Sequence, residues 1–165
     1  MDLQTIIIGV LALAVFIVPV YLIQRKQKKQ SNMVLDRMLS FCEERQMQLT
    51  KLDFWNEVFA IGIDEAVGKV VYFNMQDVVA RQVIVDLADV KCCELVKDSR
   101  KVNGDLIIDQ IVLRFHFTGP KRQSQELEFY NREQNMMLSN ELHFANKWMG
   151  IVNSALATLP QIAKV

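Results

Sequence analysis

The 165-residue sequence predicts an α+β, mainly β protein: an N-terminal transmembrane helix, a linker helix, and an antiparallel β domain closed by a C-terminal helix. Three observations carry that expectation. Residues 5–23, TIIIGVLALAVFIVPVYLI, hold no charge and only Thr5 as a polar side chain. From Asp53 onward, period-two and β-branched or aromatic runs follow one another with no helix pattern between them. From Ser139, apolar residues return at helical spacing until Pro160.

The apolar run comes first. Its nineteen residues, at about 1.5 Å each, span roughly 28 Å, close to the hydrocarbon thickness of a bilayer. Pro19 sits late in it, where a membrane helix tolerates a kink, and Tyr21 suits an interfacial position. A buried core helix would carry a polar stripe, and none is present. A signal peptide would have cations ahead of the run and a small-residue cleavage site behind it. Here Asp2 precedes the run and Arg25, Lys26, Lys28 and Lys29 follow it. The expectation is a retained single-pass anchor over residues 1–24, with the C-terminal portion cytoplasmic.

Residues 25–52 read as a basic juxtamembrane segment leading into an amphipathic helix near residues 31–49. Leu35, Met38, Leu39, Cys42 and Leu49 share one face, with Asp36, Glu43, Glu44 and Gln48 away from it. Such a face packs on the following domain. A short coiled coil, giving a weak homo-oligomer, is the second reading. It is opposed by Gln46 in the stripe and by a length under three heptads.

Residues 53–165 form the β domain. Phe59, Ile61 and Ile63 alternate with Ala60, Gly62 and Asp64 as in a half-buried strand, and KVVYF follows over 69–73. Further strands are expected at 81–87, 90–96, 107–117 and 125–130, with Gly119-Pro120 in a connection. Ile111, Leu113, Phe115 and Phe117 share one face of the clearest strand, and Leu127 and Phe129 face inward on the next. Arg114 or His116 is placed to pair with Glu126 and Glu128 across strands. Ser139 is expected to cap the last helix, with Glu141 complementing its dipole. Leu138, Leu142, Ala145, Met149, Val152 and Leu156 form its apolar stripe, flanked by Trp148.

One stretch looks like chemistry. Gly62 to Val70, GIDEAVGKV, has two glycines and a lysine in the manner of a phosphate loop. A phosphate loop needs a strand, GxxxxGK, a Ser or Thr that holds magnesium, and then a helix. Here five residues separate the glycines, Val70 replaces the hydroxyl, Asp64 and Glu65 occupy the loop, and a strand follows. The spacing predicts a hairpin, with Gly68 in a left-handed turn position. No GxSxG, HExxH or CxxC pattern occurs. Cys42, Cys92 and Cys93 are expected as free thiols. His116, His143, Asp86 and Asp89 are read as ordinary surface and turn residues. No cofactor, metal or catalytic residue is expected, and the balanced net charge gives no sign of a nucleic-acid partner.

The segments IGIDEAVGKVVYFN, VIVDLADVKCCELV, IVLRFHF and QELEFYN, with a terminal helix carrying ELHFANKWMGIVN, resemble the pleckstrin-homology-like (PH-like) and GRAM-like domains. The resemblance covers about Asp53–Leu159 and implies a bent antiparallel sandwich or barrel plugged by the C-terminal helix. The whole also resembles bacterial single-pass proteins with an N-terminal anchor and a small β domain, which implies the cell inner membrane. Lipid-binding members of the superfold place several cations around the first hairpin. Here that hairpin holds Asp64, Glu65 and only Lys69. From Leu52 onward twelve basic and fifteen acidic side chains leave a net charge of −3. Lys97, Arg100, Lys101, Lys121 and Arg122 remain as anion or lipid contacts in inter-strand loops. The function expected is a membrane-tethered, non-catalytic module that binds a protein partner or organises a membrane complex. The alternatives are an enzyme acting on a membrane-proximal substrate and a lipid-headgroup sensor.

Overall fold

In the computed structural model, residues 33–76, 80–119 and 123–158 are described, together with Pro19. They form two antiparallel sheets and two helices, a strand-rich α+β arrangement. Helix α1 covers residues 33–43. Four strands follow: β1 (Lys51–Trp55), β2 (Phe59–Asp64), β3 (Lys69–Asn74) and β4 (Arg81–Asp86). A 3-10 turn at Leu87–Asp89 leads into β5 (Val90–Val102), β6 (Asp105–Phe117), β7 (Gln125–Asn131) and helix α2 (Glu141–Thr158). The first sheet has the order β1-β2-β3-β4 and the second β5-β6-β7. Among the described residues no helix is long and apolar enough to cross a membrane. The apolar run at 5–23, Pro19 apart, and the cations Arg25, Lys26, Lys28 and Lys29 lie outside the described residues.

The inner faces of the two sheets share one core with α2. Ile61, Val70, Tyr72, Leu113, Phe115, Phe129 and Trp148 are among its buried members. Leu142 packs against it half-buried. Ser139 lies ahead of α2 rather than at its cap: the first helical bond joins the Phe144 N–H to the Asn140 carbonyl, at 3.0 Å. Glu141 is buried, which its expected role at the dipole did not require. Its carboxylate accepts from the Ser139 N–H at 2.5 Å and from Asn56 Nδ2 at 2.7 Å.

Strand β2 departs from its sequence pattern. Every residue of FAIGID is buried, not every second one. The reason is α1, which lies on the outer face of the first sheet. There Val34, Met38, Cys42 and Met47 pack on Ala60, Val71 and Phe73. The buried stripe of α1 also differs from the expected one. Val34, Met38 and Cys42, four residues apart, face the sheet; Leu39 stands about 100° round the helix from Met38 and is exposed, and Leu49 lies beyond the helix end at residue 43. Gly62 matches this close approach. A Cβ there would stand 2.7 Å from Leu49 Cδ1 and 3.2 Å from Met38 Cε.

The second sheet is longer than its sequence pattern indicated. β5 and β6 are 13 residues each, joined at Asn103-Gly104, whose φ values are 53° and 95°. Positive φ at both positions is the hairpin geometry that Asn-Gly favours. Three of the expected loop cations, Lys97, Arg100 and Lys101, therefore lie on β5 itself. Phe115→Ala empties a fully buried site and is expected to cost about 3–5 kcal/mol, measured by denaturant unfolding.

Candidate functional site

The glycine–lysine stretch is a hairpin. Asp64 pairs with Lys69 at the close of β2 and β3, and Gly68 holds φ at 65°. The loop amides are already used. The buried Asp64 carboxylate accepts from Ala66 N at 3.0 Å, Val67 N at 3.2 Å and, from the α1–β1 connection, Gln48 N at 2.6 Å. In a phosphate loop such N–H groups face the ligand; here a carboxylate occupies that place. Lys69 points to Asp86, with Nζ to Oδ2 at 3.9 Å.

The outer face of the second sheet carries a ladder of polar pairs. Arg114 Nε donates to Glu126 Oε1 at 2.7 Å, as the strand faces indicated. His116 instead meets Glu94, with Nε2 to Oε1 at 2.8 Å. That bond, with Arg114 beside it, holds the Glu94 carboxyl below its usual range. Cys92 is exposed and cross-strand from His116. Cys93 is buried, and burial pushes its thiol up to about 12, so it is protonated and unreactive at neutral pH. Cys42 is also buried, which raises its pKa. All three are free thiols. Among the described residues no group of His, Cys, Asp and Glu is arranged to hold a metal ion.

The expected basic cluster does not converge on β5. Lys97 and Lys101 fall on one face by alternation and Arg100 on the other. Arg100 Nε lies 3.2 Å from Asp109 Oδ2. Lys121 and Arg122 lie outside the described residues.

What the structure assembles instead is the far end of the β5–β6 hairpin. β7 pairs with β6 only from Gln110 to Phe115. Among the described residues no strand pairs with Asp105–Asp109 on the side away from β5, where the one backbone bond runs from Arg132 N to Asp109 O at 2.9 Å. A cleft of about 360 Å³ lies along that edge, between Leu106, Ile107 and Ile108 on one side and Tyr130, Met136 and Leu138 on the other. Arg132 lines it and an adjoining cleft of about 670 Å³ that also holds Asp98, Arg100 and Asp109. Buried Arg132 Nη1 makes no hydrogen bond and has Asp109 Oδ1 3.8 Å away. The sequence carried one signal for this site, the Asn-Gly pair at 103–104, which marks a two-residue hairpin and hence a strand reaching to Val102.

Comparison with protein families, curated proteins and solved structures finds no match to this chain. The site is therefore read from its own geometry. Asp64→Ala frees three backbone donors and is expected to lower unfolding free energy by about 1–3 kcal/mol. Lys69→Ala, at the surface, should change it by at most about 0.5 kcal/mol. Titration of both variants and the parent chain with ATP and magnesium should show no micromolar binding that depends on Lys69.

Proposed function

We propose that this protein is a membrane-tethered, non-catalytic module with a PH-like domain, which binds a protein partner along the free edge of β6. A four-stranded and a three-stranded antiparallel sheet, followed by a C-terminal helix on the shared core, support the PH-like reading. The uncharged run at 5–23 and the cations behind it support the anchor and a cytoplasmic domain at a bacterial inner membrane.

The open β6 edge carries the partner reading. Unpaired strand edges accept an extended segment through main-chain hydrogen bonds, and flanking apolar pockets select its side chains. Ile107 and Ile108 are half-buried beside the cleft, and Leu106 is 66% exposed. A second copy is the poorer occupant. Antiparallel self-pairing centred on Ile107 would set Asp105 of one chain against Asp109 of the other, and like charges directly opposite destabilise a sheet. Tethering raises the local concentration of membrane partners, so a short edge suffices. A photo-crosslinking residue at Ile107 of the full chain, in its native membrane, should form an adduct with a different polypeptide. The same residue at Val67, in the β2–β3 loop, should not. Equal labelling at the two positions would contradict the reading.

A further inference from the structure

Resting on the edge reading above, we infer that the partner segment taken up beside β6 carries a carboxylate, which Arg132 binds at the inner end of the smaller cleft. The partner is thereby given a chemistry: an acidic side chain at one end of an extended segment, then apolar side chains at alternate positions toward the β5–β6 tip.

The backbone sets Arg132 where that segment would start. β7 leaves β6 after the Gln110–Asn131 pair, and the next bond joins Arg132 N to Asp109 O at 2.9 Å. A strand added in the lane that β7 vacates runs beside Ile108 and Leu106, with Arg132 lining the cleft at its inner end. Ile108 packs against the core, and by alternation Leu106 stands on the same face. Tyr130, Met136 and Leu138 form the opposite wall. Such walls favour apolar side chains two residues apart on the incoming segment.

Charge then selects the end group. Among the residues lining the smaller cleft, Arg132 is the one that carries a charge. Asp109, the acid beside it, does not satisfy it: Nη1 stands 3.8 Å from Oδ1 and makes no hydrogen bond. The other oxygen of Asp109 is approached by Arg100 Nε at 3.2 Å. One carboxylate thus serves two guanidinium groups, and one positive charge is left over. A guanidinium presents its N–H donors in a fixed fork that matches a carboxylate. The Arg132 side chain is 36% exposed, so the fork can be reached from the cleft. A buried charged donor without an acceptor is costly, and a carboxylate from the partner offsets that cost. The larger cleft does not offer the same welcome. There Asp98 and Glu133 join Asp109, so acids outnumber Arg100 and Arg132. An incoming acid is favoured on the smaller side, and an incoming base faces Arg132 alone.

The test selects short random displayed peptides on the full chain held in mild detergent, and repeats the selection on Arg132→Gln. The parent chain should enrich peptides with Asp or Glu at one end of an alternating apolar pair. Arg132→Gln should enrich apolar pairs with no acidic preference. Selected peptides should crosslink to a photo-reactive residue at Ile107 and not to one at Val67. In a purified selected peptide, replacing the acid by its amide should weaken binding to the parent severalfold, and by less at high salt. Arg132→Gln should be indifferent to that replacement, and Arg132→Lys should keep part of the preference. The amide comparison needs only the parent chain, so it stands even where a variant folds poorly. Peptides that crosslink at Ile107 with no acidic preference, or with one that survives in Arg132→Gln, overturn this proposal and leave the edge reading standing. No enriched peptide, or peptides that crosslink equally at Val67, overturn the edge reading and this proposal with it.

Discussion

The fold depends on strand β1, a short edge strand that binds both sheets and α2 together. The Trp55 ring stacks at 4.6 Å on Phe129 of β7, 5.3 Å on Phe59 of β2 and 5.7 Å on Phe144 of α2. Its Nε1 donates to the Phe129 carbonyl at 3.2 Å. Two residues earlier, Asp53 accepts from Trp148 Nε1 at 2.8 Å and from Lys147 Nζ at 2.6 Å. Among the described residues the two sheets share no backbone ladder, so these side-chain bonds, with that from Tyr72 to the Glu128 carbonyl and the packing of the common core, fix how their inner faces meet. A buried indole or phenol needs a partner for its polar hydrogen, and here each partner lies on a different element from the donor. The tertiary arrangement thereby satisfies them.

From that joint the roles of both helices follow. On the inner side, α2 closes the core and also serves the edge of β5. Asn153 Nδ2 donates to the Cys93 carbonyl at 2.9 Å, and its Oδ1 accepts from Cys93 N at 3.2 Å. The amide thus stands in for a neighbouring strand where the β5–β6 register shifts. On the outer side, α1 covers the first sheet, with Asp64 fixing the connection that leads from α1 into β1. Helix α1 is thus packed on the domain along its length.

Much of this was legible in the sequence because it is written in local periods. The alternation of Ile111, Leu113 and Phe115, and of Leu127 and Phe129, places the inner faces correctly. Gly68 and the two acids beside it identify a hairpin loop. What was illegible depends on contacts distant in the chain. Nothing local to FAIGID announces that α1 will bury its second face, and the placing of Leu49 on the helix stripe assumed a helix longer than the one that forms. Nothing local to Glu141 announces Asn56, 85 residues earlier. The hairpin end was misplaced because charged residues from Lys97 to Lys101 resemble a loop by composition, although Asn103-Gly104 marked the turn.

The open edge of β6 is the claim on which the functional reading stands, and amide hydrogen exchange of the purified full chain tests it most directly. Among residues 105–109, the amides facing away from β5 should exchange orders of magnitude faster than those of Ile111 to Phe115, which lie between β5 and β7. Protection of residues 105–109 equal to that of the central stretch would mean that the edge is already occupied, and would contradict the account.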